Sequence, residues 1–164
     1  MEATLNSFKY CLDYLAEQLK DVDETKFAFL PTGISIHPAW VVGHLTISCQ
    51  AIGGEIGLQP WLPSEYQSLF GAGSVPCNDP DMYETKRKLL AGLSDSQLRI
   101  SNAVREFSDA QLSATLPDEN FRLQFPTIKD AITQVLVGHT SYHIGQISIW
   151  RRLAALPALE RSFA

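Results

Sequence analysis

The chain has 164 residues, 45% of them apolar, and a net charge of −5. That is enough apolar content for a core and a length suited to one domain spanning residues 1–164. An acidic balance without a basic patch argues against nucleic acid or an anionic membrane surface as partner. The opening stretch MEATLNSFKYCLDYL lacks the basic-then-apolar order of a secretory signal. No apolar run reaches membrane-spanning length, so the expected compartment is the cytoplasm.

Four segments carry helical periodicity. In the first, about residues 3–22, Leu5, Phe8, Leu12, Leu15, Leu19 and Val22 form an apolar stripe. The second opens at SIHPAW, where Pro38 suits the first helical position because its missing N–H would have no partner there. It is expected to run to about residue 57, with Trp40, His44, Ile47 and Ala51 on one face. The third opens at NDPDMYE, with Asp79 as cap and Pro80 at the first position, and ends near Phe107. The fourth opens at PTIKDAI, where Thr127 and Asp130 make a capping pair. It continues through Ile132, Val135, His139, His143, Gln146 and Trp150 to Leu153, and Pro157 closes it.

The expected fold class is therefore all-α: a four-helix bundle with long crossover connections. Residues 58–79 and 108–126 are those connections, and connections of that length are either crossovers or functional lids. In the first, Trp61, Tyr66 and Phe70 either cover a substrate or pack the loop onto the bundle. In the second, FRLQF reads as a short extended piece. The three cysteines, Cys11, Cys49 and Cys77, are odd in number and scattered, so neither a disulfide framework nor a zinc knuckle is indicated. Cys11 and Cys49 read as small apolar core groups, and Cys77 as a loop thiol. Gly43 and Gly138 each precede a histidine inside a helix, where glycine costs about 1 kcal/mol relative to alanine. Gly145 adds a third. Close helix packing, or room beside the histidines for a ligand, repays that cost.

The chemistry lies in the histidines. On an α-helix, residues four apart differ by about 40° around the axis and about 6 Å along it, so His139 and His143 project into one volume. HTSYH lacks the glutamate of the zinc protease motif H-E-x-x-H, so a second helix must complete any site. His44 is the natural third member. Three imidazoles with an open position form the catalytic type of metal site. Zinc, nickel or iron fits such a set, and the sequence does not choose among them. His37 lies about 10 Å along the axis from His44 and reads as a helix-start residue. The alternative is three core histidines with both nitrogens of each ring hydrogen bonded.

PAWVVGHL, followed about a hundred residues later by GHTSYHIGQISIWRR, resembles the DinB-like group of four-helix metalloproteins. The resemblance implies that His44, His139 and His143 are the metal ligands. Trp40, Gly145, Gln146 and Arg151 or Arg152 match further parts of the signature. It also implies a homodimer and, for some members, an enzyme that uses a divalent metal to activate a low-molecular-weight thiol for transfer or isomerisation. Other members have no known activity.

The spacing places Gln146 one turn past His143, where it can orient a ligand ring or tie two helices together. Arg151 and Arg152 read as helix C-terminal charges, with an anion clamp as the other reading. Tyr142 projects about 100° away from His143 and reads as core or interface. Glu55 and Asp130 lie about 16 and 13 Å along their helices from the nearest ligand, so no general base is evident. The expected function is a metal-dependent thiol transferase, or a hydrolase with the same centre. The alternatives are a non-catalytic metal- or ligand-binding stress-response protein and an inert bundle.

Overall fold

Leu5, Phe8, Leu15 and Leu19 are the buried side of α1 (Glu2–Leu19) in the structure, a computed structural model that describes residues 1–157 and 159. The rest of the expected 1–164 domain, residues 158 and 160–164, lies outside the described residues. The second helix, α2 (Pro38–Glu55), has Pro38 at its start and is buried on nearly every side. A helix apolar all round belongs in the middle of a fold, and α2 packs on the helices Lys86–Arg105, Glu65–Phe70 and Thr140–Leu153.

Between α1 and α2, His37 caps α2: its Nδ1 accepts the Trp40 N–H, and its Nε2–H donates to the Cys77 carbonyl. The connection 58–79 holds a short helix, α3 (Glu65–Phe70). Gln50 Oε1 accepts the backbone N–H groups of Trp61 and Leu62, and Trp61 Nε1 donates to Ser96. Tyr66 and Phe70 are buried. The aromatics thus pack the segment onto the helices rather than covering a substrate.

Asp79 and Pro80 do begin a helical turn, but it is a 3-10 turn, Pro80–Met82. The long helix α4 (Lys86–Arg105) starts later, where the Thr85 side chain accepts the Lys88 N–H. Its Leu89, Leu93, Ile100 and Val104 form the expected stripe. FRLQF is not extended. After the capping-box helix α5 (Asp109–Leu112), residues Glu119–Arg122 form α6, because the Asp118 carboxylate accepts the Asn120 and Phe121 N–H groups. The only extended pairing among the described residues here is an isolated bridge between Thr115 and Thr127.

The Thr127–Asp130 capping box starts α7 (Ile128–Thr133) as expected. The helix then widens into a π segment, Gln134–His139, before continuing as α8 (Thr140–Leu153). Thr140 Oγ1 reaches the Val135 carbonyl five residues back. A wider turn rotates less per residue, so it offsets part of the drift of Ile128, Ile132, Leu136 and Thr140, which recur every four residues and are all buried. Ala155, in the left-handed region at φ 55°, ends the helix before Pro157. Arg151 is buried and bonds bidentately to Asp21, with Nη1 also on the Gln18 carbonyl. That partnership excludes the anion-clamp reading for Arg151. Among the described residues no helix is long and apolar enough to cross a membrane.

The buried side chains fall into two clusters. One gathers Leu19, Phe27, Val41, Leu45, Leu89 and Trp150; the other gathers Phe8, Ile52, Ile100, Leu116, Ile132 and Leu136. Each such side chain contributes about 2 kcal/mol on burial.

His37 has no exposed surface, and burial depresses its pKa to about 4. The unfolded chain binds this proton below about pH 6.5, whereas the folded chain does not until about pH 4. Stability is therefore full above pH 6.5 and falls as pH drops towards 4. His37→Asn keeps a capping oxygen and removes the titration. Urea unfolding should show this variant losing on the order of 2 kcal/mol less than the parent between pH 7 and pH 5.

Candidate metal centre

Each ring of the histidine cluster is carried by a different local device. His44 lies on buried α2 and is 8% exposed. Before it, Gly43 lacks the Cβ that the Phe70 ring would meet. That close approach brings the Phe70 carbonyl to 2.7 Å from His44 Nδ1. The Trp40 indole stacks on the His44 ring with centroids 4.6 Å apart and planes 9° from parallel, and its Nε1 donates to Ser74. His139 ends the π segment, and His143 lies in the first turn of α8. Gln146 Oε1 stands 2.7 Å from His143 Nδ1.

The three Nε2 atoms converge. His139 Nε2 lies 3.0 Å from His44 Nε2 and 3.0 Å from His143 Nε2. This is the one group of three or more histidine, cysteine, aspartate or glutamate ligand atoms found within 4.8 Å of one another among the described residues. The proton count decides what such a cluster can hold. His44 donates its Nδ1–H to Phe70, and His143 donates its Nδ1–H to Gln146, so both present a lone pair at Nε2. A proton on His139 Nε2 would serve only one of them. A divalent ion between the rings would accept all three lone pairs, and the residues fit that group. His139 Nδ1 is buried without a partner, so no protein group orients this ring as Phe70 and Gln146 orient the other two.

Burial lowers the pKa of all three rings. It takes His143 to about 3, aided by repulsion from His139 and His44, and His139 to about 4, aided by His44. His44 is lowered by burial, against the Phe70 hydrogen bond. Neutral imidazoles at neutral pH are the ligand form.

A cleft of about 420 Å³ opens beside His44 and His139. Ser48, Gln67 and Gln134 flank the rings, and the wall beyond is formed by Ile47, Ile52, Phe121 and Val135. The structure brings together His44, His139, His143 and Gln146, as the spacing suggests. It keeps His37 away as a cap. Tyr142 is 64% exposed and is no core residue, and Gly145 is exposed with open space above it. None of the three cysteines lines the cleft. Cys49 is buried, and its pKa is pushed up to about 12.

Sequence reasoning missed the Phe70 carbonyl and the two glutamines. Gly43 was the signal for Phe70. Gly138, where a Cβ would meet the Gln134 side chain, was the signal for Gln134.

The comparison with curated proteins finds no match. Among solved structures, the chain is similar to a conserved protein from Enterococcus faecalis, at 15% identity and a TM-score of 0.70. That match covers 94% of this chain and 96% of the other, and it speaks to the fold. The sequence itself matches the DinB superfamily over residues 7–147. The helical fold and the sequence match agree, and the chain belongs to the DinB superfamily.

Proposed function

We propose that the protein binds one divalent metal ion through Nε2 of His44, His139 and His143, and uses it in S-transfer from a small thiol. The observation that carries the metal reading is the meeting of three Nε2 atoms within 4.8 Å of one another, His139 Nε2 standing 3.0 Å from each of the other two, whose rings are already committed as acceptors. Zinc, nickel and iron all suit three neutral nitrogens. Membership of the DinB superfamily supports the same reading.

A divalent ion held there supplies Lewis acidity, lowering the pKa of a thiol or water that reaches it. The rings contribute no negative charge, so that acidity is not diluted. Phe70 and Gln146 hold two rings in the ligating tautomer. The cleft's apolar wall excludes water from the partner electrophile. In the reaction, the thiol's S–H proton passes to solvent, sulfur bonds to an electrophilic carbon, and the leaving group departs with the electrons of the broken bond. Because no cysteine of the chain lines the cleft, the thiol is a substrate. Water in place of the thiol gives hydrolysis at the same centre. Exposed Tyr142, Ile149 and Leu153 on α8 support a homodimer, acting in the cytoplasm.

One observation favours a second reading, a metal-holding protein without catalysis. The polar groups beside the rings are Ser48, Gln67 and Gln134, and none of them is a base at neutral pH.

Purified protein analysed by mass spectrometry should carry close to one metal per chain, and His139→Ala should lose it. Unchanged metal content in that variant would sink the assignment. Gln146→Leu should retain the fold and weaken metal affinity about 10- to 100-fold by equilibrium dialysis.

The transfer reading is checked separately with protein reconstituted in turn with zinc, nickel and iron. Consumption of small thiols with alkyl electrophiles is expected, and His139→Ala should abolish it. Absence of turnover across the thiol, electrophile and ester panel, with metal fully loaded, would leave only the metal-holding reading.

A further inference from the structure

His44, Ser48, Ala51, Ile52 and Glu55 recur along α2 at spacings of four, three, one and three, a stripe down one face of the helix. All five line the cleft of about 420 Å³. The cleft is thus a track along α2 rather than a dimple over the rings. Eleven residues separate its two ends, about 16 Å at 1.5 Å per residue. Its apolar lining is Ile47, Ile52, Phe121 and Val135. Its far end is acidic: Glu55 and Asp118 both line it.

Those two carboxylates are held in place. Glu55 Oε2 accepts the Asp118 N–H at 3.0 Å, and Asp118 Oδ1 accepts the Asn120 and Phe121 N–H groups. Neither carboxylate is in an ion pair among the described residues. The nearest cation in sequence, Arg122, bonds instead to the Leu116 and Pro117 carbonyls. Two negative charges therefore close a track whose other end holds uncharged rings and whose walls carry apolar side chains.

We propose that this cleft selects an elongated substrate with a cationic end. Its reacting group sits at the three histidines, its apolar body lies along Ile52 and Phe121, and its ammonium group pairs with Glu55, assisted by Asp118. A substrate carrying a carboxylate at that end is rejected. This deepens the function proposed above and rests on it for the direction in which the substrate lies. The charge selection at the far end needs no metal, so the two can fail separately.

The test uses three probes of one shape: 4-phenylbutylamine, 4-phenylbutan-1-ol and 4-phenylbutyrate. Calorimetric titrations are run on the full chain, metal-free and zinc-loaded, for the parent, Glu55→Gln and the Glu55→Gln/Asp118→Asn pair. Gln can still accept the Asp118 N–H, and Asn still caps α6, so both variants are expected to fold, with circular dichroism and zinc content as controls. In the parent, the amine should bind about tenfold tighter than the carboxylate, with the alcohol between them. Glu55→Gln should narrow that ratio to about threefold, and the pair should bring it to about one. Equal affinity for amine and carboxylate in the parent, an unchanged ratio in the double variant, or no amine binding at millimolar concentration would each overturn the proposal. A parent that orders the probes as expected but binds no zinc would instead overturn the metal reading alone.

Discussion

Imidazole nitrogens that offer lone pairs to a single point repel unless positive charge lies between them. His44, His139 and His143 are held in that arrangement by groups that cannot easily give way. The Phe70 carbonyl and Gln146 bind the outer nitrogens of two rings and commit their inner nitrogens as acceptors. Burial lowers the pKa of every ring, so protonation cannot relieve the crowding near neutral pH. The polypeptide carries the cost of that arrangement, which the proposed ion would recover.

The scaffold explains how such a cost is carried. Helix α2 is buried on almost all sides, so His44 is placed by the core itself. Residues on its other faces, including Val42 and Leu45, belong to the first apolar cluster. Each of these contributes on the order of 2 kcal/mol, and together they exceed the roughly 1–3 kcal/mol cost of a single crowded polar group. His139 is the exception. Its Nδ1 has no partner, and the ring sits at the end of a π segment. Of the three rings it is the least constrained by protein, which makes it the ring whose orientation depends most on what the cluster binds.

Much of this was legible in the chain, and the reasons are specific. Pro38 and the Thr127–Asp130 box mark helix starts by chemistry that operates locally, and both operate here. The meeting of three histidines follows from helix pitch together with the packing of α2 against the last helix. What escaped notice lies in hydrogen-bond register. Asp79–Pro80 is a sound helix start, but it begins a 3-10 turn, because Thr85 offers a second cap six residues on. FRLQF alternates like a strand, yet the Asp118 cap draws its first two residues into α6 and the next two into a turn. The π segment leaves the four-residue recurrence of buried positions intact, so periodicity could not reveal it. Backbone carbonyls such as that of Phe70 leave no trace in a residue pattern except through the glycine that admits them.

The segment 58–79 illustrates how one connection serves both stability and the site. A mobile lid would expose its aromatics when open. Here Tyr66 is 6% exposed and Phe70 is 1% exposed, so lifting the segment would forfeit several kcal/mol of burial. It would also withdraw the carbonyl that sets the His44 tautomer. The Tyr66 hydroxyl donates to Glu84, and Trp61 donates to Ser96, so two further bonds would break. Gln67 and Ala72 nonetheless line the cleft, so the segment forms a wall of it without having to move. Access to the rings is therefore along the α2 track and not through the 58–79 connection, and the His44 geometry is already set before any ligand arrives.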